Sequence, residues 1–173
     1  MFIRNENIEL RVAEPYDANT IYNWENDTSI WRVSETLVPF SLHQIEQFLW
    51  NNNDLMSQKQ LRLMIDKNDT DTAVGCIDIY GYDAFNQRAG IGILIDKNFR
   101  GQGLAKQSIE LLMKYCFDTL QLHQVFAMTL ADNIESTKLF ESMGFVKSGQ
   151  MKDWYKTADG FVDQIEYQYI NKI

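Results

Sequence analysis

The segment that most restricts how this 173-residue chain can fold reads AGIGILIDKNFRGQGLAKQS and covers residues 89–108. Its first part alternates small and β-branched residues up to Asp96, which is typical of a strand, and its last part has the spacing of a helix. Between the two lie Gly101 and Gly103, although the chain has only 9 glycines. A strand, a glycine-rich turn and a helix leave unpaired N–H groups at the positive end of a helix dipole. Such a unit is suited to bind phosphate.

Hydrophobic periodicity predicts strands and helices along the rest of the chain. Patterns with a period of two predict strands at Ile8–Ala13, Leu61–Asp66, Ala73–Tyr82, 89–95, Gln124–Leu130, Phe145–Tyr155 and Phe161–Ile170. Helical spacing predicts helices at Asp17–Glu25, Ser41–Trp50, Gly103–Thr119 and Asn133–Met143. Strands near both ends, with two β–α steps between them, predict a single domain over residues 1–173. Its class is α+β (mixed α/β), with helices on both faces of a mixed sheet.

The strand predicted at Ala73–Tyr82 carries a charge in its middle. Alternation places one set of side chains on one face, Val74, Cys76, Asp78 and Tyr80, and another set on the opposite face, Ile77 and Ile79. A carboxylate among apolar neighbours needs a reason, so Asp78 is a candidate functional residue. The alternative is a solvated position on the outer face of the sheet.

Composition argues against several classes of function. The net charge of −8 argues against nucleic acid as a partner and fits a cationic small molecule or peptide, or simply solubility. The chain has no apolar run of about 18 residues, so no membrane span is predicted, and its N-terminus does not resemble a signal peptide. Cys76 and Cys116 lack metal-like spacing, which suits a reducing cytoplasm. His43 and His123 stand alone, so no metal site is predicted.

Three phosphate-binding patterns can be compared with the glycine turn. The P-loop pattern GxxxxGK[ST] is absent, and the dinucleotide pattern GxGxxG fails because its last position is Lys106. The third pattern, [Q/R]xxGx[G/A], is satisfied by the six residues of RGQGLA, at 100–105. Two further segments accompany it, NIESTKLFESMGF after the next predicted strand and the hairpin WYKTADGFVDQIEY near the end.

Taken together, these segments resemble the GNAT superfamily of N-acetyltransferases over nearly the whole chain. Within that superfamily the chain is most similar to the branch of spermidine and ribosomal-protein N-acetyltransferases. The resemblance implies a central mixed, mostly antiparallel sheet flanked by helices and acetyl-CoA (CoA) as cofactor. It also implies a set of cofactor-binding residues: Ile93, Leu94, Ile95, Arg100, Gly101, Gln102, Gly103, Leu104, Ala105, Asn133, Ser136 and Phe140. A helix N-cap is the structural alternative for Asn133.

The chemistry of amine acetylation suggests further residues. An amine with a pKa near 10 is almost wholly protonated at neutral pH, so a group must take its proton before it attacks. Asp78 is the preferred base, acting directly or through water. The resemblance also implies an acceptor pocket, bordered here by five residues, Trp31, Glu35, Asp78, Tyr80 and Asp83. Glu35 and Asp83 are alternatives to Asp78 that suit positioning a cation better than taking its proton. Trp24 is either a second aromatic wall of this pocket or a core residue of its helix.

Phe140 departs from the pattern of the family. Many members have a tyrosine at the matching position, which donates a proton to the leaving thiolate, and phenylalanine cannot do this. Another donor could act instead: Ser136, Tyr80, Tyr155 or water. The thiolate could also leave unassisted, or the protein could bind acyl-CoA without rapid turnover. Core packing is the plain alternative reading of Phe140.

The sequence thus predicts a cytoplasmic enzyme that transfers acetyl directly from acetyl-CoA to a bound primary amine. A polyamine-like cation is the first candidate acceptor, a protein N-terminus the second, and a small antibiotic or amino-acid amine the third. The rival hypothesis is a non-catalytic acyl-CoA-binding or polyamine-sensing protein. The sequence leaves open whether the chain forms a homodimer or a higher oligomer.

Overall fold

The computed structural model of the chain describes residues 3–34, 36–51, 53–70 and 72–172. Its strands are β1 (Ile3–Arg4), β2 (Ile8–Val12), β3 (Leu61–Lys67), β4 (Thr72–Asp83), β5 (Arg88–Ile95), β6 (Gln124–Leu130), β7 (Val146–Thr157) and β8 (Gly160–Ile170). Its helices are α1 (Ala18–Glu25), α2 (Trp31–Ser34), α3 (Leu42–Asn51), α4 (Leu104–Lys114) and α5 (Ile134–Ser142). Every predicted strand and helix is present, with ends that differ by a few residues, whereas β1 and α2 were not predicted. In the described residues, no helix is long and apolar enough to cross a membrane.

The eight strands form one sheet in the order β1–β2–β3–β4–β5–β6–β8–β7. Neighbouring strands run antiparallel except β5 and β6, which run parallel. A parallel pair needs a crossover connection, and α4 makes it. The prediction of a mixed, mostly antiparallel sheet is therefore confirmed.

Two hydrophobic cores lie on opposite faces of the sheet. Leu63 and Ile65 of β3 belong to the core beneath α4 and α5, whereas Met64 between them belongs to the core beneath α1 and α3. Successive side chains of a strand point to opposite faces, so the two cores are separated by the sheet. Helices cover both faces, as predicted. The face beneath α1 and α3 also carries Asp78 and Tyr80, which alternate with Ile77 and the other α4-core residues of β4.

One predicted orientation is wrong. Val74 lies in the core beneath α4 together with Ile77, not in the opposite core with Cys76. The register between β3 and β4 steps from Gly75 to Ala73, so Val74 has no pairing partner among the described residues of β3. Val74 is thus the extra residue of a β-bulge, and a bulge reverses the alternation of side chains beyond it.

An ion-pair network anchors α1 to the sheet. Arg11 of β2 donates to both carboxylate oxygens of Asp17, at 2.7 and 2.9 Å, and to Asp66 of β3 at 2.5 Å. Asp17 is only 5% exposed and also accepts the backbone N–H of Glu14 at 2.8 Å. The hydrogen bonds to Asp17 outweigh the effect of burial and raise the pKa of Arg11. The network fixes the start of α1 against two strands.

We expect Asp17→Asn to lower the free energy of unfolding by about 2–4 kcal/mol, because the partly buried charge of Arg11 then keeps only Asp66 as an ionic partner. Urea denaturation measures this change. Asp132→Asn is the matched control, since Asp132 pairs with Arg32 at a site where both side chains are about half exposed. That control should change stability by less than about 0.5 kcal/mol. Equal losses in the two variants would contradict an anchoring role for Asp17.

Candidate functional site

The pairing between β5 and β6 ends early and leaves a free strand edge. It joins three residues of each strand and stops at Gly90 and Phe126. In the part of the chain that the structure describes, β5 continues to Ile95 and β6 to Leu130 without further pairing to each other. The opposite edge of β5 is bonded to β4 throughout this stretch. Residues 91–95 therefore present backbone groups to which an extended ligand can bond as an added strand, and at the end of this edge the Ile95 oxygen also accepts Arg100 Nε at 3.1 Å.

The free edge leads directly into the glycine turn. Gly101 and Gly103 have φ values of 75° and 74°, a region that favours glycine. A Cβ at either position would have no atom within 4 Å, so the turn is open on its outer side. Gly103 is the N-cap residue of α4 and supplies no capping side chain, which leaves the N–H groups of the first helical turn for a ligand. Residues 100–105, predicted to hold a phosphate group, all lie in this turn and the start of α4.

A hydrogen bond that the sequence patterns did not reveal attaches α1 to the base of the turn. Trp24 Nε1 donates to Asp96 Oδ2 at 2.9 Å, and Asp96 Oδ1 accepts the N–H of Asn98 at 2.8 Å. Burial raises the pKa of Asp96, but these hydrogen bonds outweigh it and hold the pKa below its ordinary value. Trp24 is only 9% exposed, so it is a core residue with a polar contact. A cavity of about 270 Å³ lies beside this contact, between α1 and the turn.

Asp78 lies in an ion-pair network with Arg62 and Glu25. Arg62 donates to both oxygens of Asp78, at 2.8 and 2.9 Å, and to Glu25 Oε1 at 2.5 Å. The side chains of Arg62, Asp78 and Glu25 are 17%, 29% and 15% exposed. Burial lowers the pKa of Arg62, but the charge and hydrogen bonds of Asp78 together with the charge of Glu25 outweigh it and raise the pKa above its ordinary value. The three groups carry a formal charge of −1, and Asp78 is not simply solvated.

Tyr80 and Asp78 flank the stretch of β5 where its free edge begins. In the β4–β5 register Tyr80 pairs with Gly90, and Asp78 pairs with Gly92. A Cβ at Gly90 would lie 2.3 Å from Cε2 of Tyr80 and 2.4 Å from its Cζ, so the ring lies against the backbone of Gly90. The same ring meets Phe126 of β6 edge to face, with 5.6 Å between ring centroids. The structure thus brings these two predicted residues to the free edge of β5.

The residues at and within α5 that were predicted to bind the cofactor have structural roles in the fold. Asn133 Oδ1 accepts the N–H of Ser136 at 3.2 Å, so the N-cap reading of Asn133 is confirmed. Phe140 is 4% exposed and packs against Phe145 and Tyr167, with ring centroids 5.2 and 6.2 Å away. Core packing therefore accounts for Phe140. Cofactor contacts of Asn133, Ser136 and Phe140 stay predictions.

The remaining predicted acceptor residues are not gathered at one place. Trp31 donates its Nε1–H to the backbone oxygen of Glu25 at 2.9 Å, next to the network of Arg62. Asp83 is the last residue of β4, five residues beyond Asp78 and thus about 16 Å along the strand. Hydrogen bonds from Asn86 hold the pKa of Asp83 below its ordinary value. Glu35 lies outside the described residues.

Arg62 and Glu25 belong to the site but were not predicted as functional residues. The available signal for Arg62 was a single arginine within the predicted apolar strand LRLMID, where a buried charge requires a partner. Alternation could place Arg62 on one face of β3, but only the β3–β4 register brings it opposite Asp78.

Both cysteines lie in the core and are poorly suited to act as nucleophiles. Cys76 and Cys116 are free and buried. Burial raises the pKa of each thiol to about 12. A thiol with such a pKa holds almost no thiolate at neutral pH.

Comparison with known proteins adds a family and a fold. A family model described as an acetyltransferase (GNAT) domain matches residues 7–146. The uncharacterized N-acetyltransferase p20 of Bacillus licheniformis is 27% identical over 169 residues, which cover 96% of this chain and 94% of p20. The crystal structure of spermidine N-acetyltransferase from Vibrio cholerae, in complex with CoA and spermine, has a TM-score of 0.86 at 22% identity and 96% coverage of both chains. The ribosomal-protein-S5-alanine acetyltransferase of Vibrio fischeri has a TM-score of 0.86 at 20% identity, covering 99% of this chain and 97% of that one.

We expect the thiol reagent DTNB to find no rapidly reacting cysteine in the folded protein at neutral pH, because both thiols are buried and protonated. After unfolding in urea, both cysteines should react. Absorbance of the released thionitrobenzoate measures the two reactions. A folded-state thiol that reacts as fast as free cysteine would contradict this assignment and reopen a covalent route.

Proposed function

Because the chain belongs to the GNAT family of acetyltransferases, which use acetyl-CoA as the donor, we propose that it transfers acetyl directly to a primary amine. The amine would bind on the face of the sheet that carries α1 and α3, beside Asp78 and Tyr80. The observation that carries this proposal is the free edge of β5 running into the turn at Gly101 and Gly103. The two buried thiols support transfer without a covalent intermediate on cysteine.

The residues of the chain fit acetyl-CoA in two ways. The backbone of residues 91–95 can bond an extended pantetheine arm as one more strand. The N–H groups of the turn and of the first turn of α4 can hold the pyrophosphate, because that end of a helix dipole is positive. Asn133 and Ser136, at the start of α5, are proposed to contact the pantetheine. Bound in this place, acetyl-CoA supplies an activated acetyl thioester.

A polyamine-like cation is the acceptor that the charges favour. The chain has a net charge of −8, and of this the network of Arg62, Asp78 and Glu25 carries a formal charge of −1 on the face where the amine would bind. Trp31, close to Glu25, could cover the alkyl part of such a cation. A protein N-terminus is the second candidate, supported by the fold shared with the ribosomal-protein acetyltransferase of Vibrio fischeri. Small antibiotic or amino-acid amines come third.

We assign to Asp78 the removal of the proton from the acceptor ammonium, directly or through a water molecule. Arg62 holds the carboxylate by two hydrogen bonds and thereby fixes its direction beside Gly92. A carboxylate oxygen has more than one acceptor position, so these bonds leave room for a bond to water. Asp83 and Glu35 are proposed to attract the cation rather than take its proton. Free cysteines fit a cytoplasmic location.

The direct test of the proposed function is thiol release from acetyl-CoA over a panel of amines. The panel holds spermidine, putrescine, short peptides with free N-termini and aminoglycosides. We expect release that depends on an added amine and is fastest with the polyamines. Binding of acetyl-CoA without release across the whole panel would favour the acyl-CoA-binding or polyamine-sensing alternative and would overturn the proposed acceptor.

The glycine turn can be tested by binding alone. We expect acetyl-CoA to raise the melting temperature of the wild-type protein, because the ligand binds only the native state. Gly103→Val should abolish this rise, since its side chain fills the open space over the turn. Gly160→Val is the matched control, because Gly160 also has a positive φ and open space but is the first residue of β8, away from the glycine turn. A full shift in the Gly103 variant would rule out the pyrophosphate assignment.

The role of Asp78 predicts a dependence on pH. Asp78→Asn should lower kcat/KM about 10²–10⁴-fold at pH 7, and the loss should shrink as the pH approaches the pKa of the acceptor, where the free amine is abundant. Glu25→Gln is the matched control, because it also removes one charged partner of Arg62. It should cause a smaller loss that does not vary with pH. If both variants lose the same activity at every pH, Asp78 is not the base and only holds Arg62 in place.

A further inference from the structure

The leaving sulfur needs a proton that Phe140 cannot supply. The structure disfavours two of the other side chains that could donate it, Tyr155 and Ser136. Phe140 is enclosed by Phe145 and Tyr167 in the core beneath α4 and α5. Tyr155 lies on β7, which is separated from β5 by β6 and β8, hence by about 14 Å across three strand spacings. Ser136 lies in the first turn of α5, on the side of the sheet opposite Tyr80, and its backbone N–H donates to Asn133 Oδ1.

Tyr80 lies much closer to the free edge of β5. Its ring is in contact range of Gly90, and a Cβ at Gly92 would lie 3.8 Å from its Cε1. The ring carbon that bears the hydroxyl, Cζ, is one of the two atoms nearest to the Cβ position of Gly90. The ring therefore lies across β5 at Gly90 and Gly92, from β4 toward Phe126 of β6.

This placement brings the Tyr80 hydroxyl to the point where β5 and β6 stop pairing. Gly90 is the last residue of β5 that pairs with β6, and its partner Phe126 touches the Tyr80 ring. Any residue other than glycine at position 90 would clash with the Tyr80 ring. Its Cβ would lie 2.3 Å from Cε2 of Tyr80, which is too close for two carbon atoms that are not bonded. The absence of a side chain at Gly90 is thus what allows an aromatic ring to cross the strand.

We propose that Tyr80 is the proton donor to the sulfur that leaves acetyl-CoA. The assignment rests on the proposed function, since it requires the thioester to lie near Gly92 on the free edge of β5. Tyr80 and Asp78 then act from neighbouring positions of one strand face, one giving a proton and the other taking one.

The proton balance of the step needs no further reactant. The acceptor begins as an ammonium and ends as an amide, so its nitrogen loses two protons in each turnover. Asp78, directly or through water, takes the first proton before the attack and releases it to solvent, and it takes the second as the C–N bond forms. As the C–S bond breaks, Tyr80 gives its Oη–H proton to the sulfur and then regains a proton from solvent, to which Asp78 releases the second proton. Two N–H bonds are lost, one S–H bond is formed and one proton is released to solvent.

The test compares Tyr80→Phe with Tyr82→Phe. The first change removes the hydroxyl and keeps the ring over Gly90. The control removes a hydroxyl from the same strand, but Tyr82 packs against the core beneath α4. We expect Tyr80→Phe to lower kcat with the best amine about 10²–10⁴-fold and Tyr82→Phe to leave it near the wild-type value. Both variants should keep the rise in melting temperature with acetyl-CoA.

A second readout needs no turnover. The ultraviolet absorbance of the thiolate follows the ionisation of the CoA thiol when CoA is bound. A donor hydroxyl stabilises the thiolate, so the pKa of this thiol should be about 1–2 units higher in the Tyr80 variant than in the wild type. The Tyr82 variant should match the wild type.

The outcomes separate this assignment from the proposed function. Equal thiol pKa values in wild type and Tyr80→Phe would overturn the assignment, whatever the turnover. A raised pKa together with no turnover on any amine would support the contact of Tyr80 with sulfur and count against the proposed acceptor. Failure of CoA to bind the wild-type protein would overturn both.

Discussion

The early end of the pairing between β5 and β6 is the constraint on which the rest of the site depends. Two parallel strands that stayed paired would satisfy each other's N–H and C=O groups and leave no edge for a ligand. Beyond Gly90 that pairing stops, while the opposite edge of β5 stays bonded to β4. The free edge therefore belongs to a rigid strand, and it runs into the N-terminus of α4. One extended molecule can use the strand edge and the helix end together.

The charged groups near this edge are held by partners rather than left to solvent. Arg62 binds Asp78 and Glu25 on the face beneath α1 and α3. Arg11 binds Asp17 and ties the start of α1 to the sheet. An unpaired charge in such positions would be costly, so each arginine joins a helix or a strand to its neighbour. The same contacts that position α1 also set the direction of Asp78.

The fold gives a physical reason for phenylalanine, rather than tyrosine, at position 140. The α5 helix packs its aromatic side chain into the core, where a hydroxyl would need a partner. The opposite face of the sheet carries Tyr80 at the end of the β5–β6 pairing, and Gly90 gives its ring room. Proton donation from the face of β4 in place of α5 would keep the base and the acid on one rigid strand.

The sequence by itself determined the strands and helices, the glycine turn and the family, because these depend on local periodicity and on short motifs. It also identified Asp78 and Tyr80 as candidates, since each stands out within its own strand. Only the tertiary structure decided that Arg62 faces Asp78, that Trp24 holds Asp96 and that Tyr80 lies over Gly90. These contacts depend on the register between strands, which no local pattern encodes. Long-range pairing fixes them, and it forms only when the whole sheet is assembled.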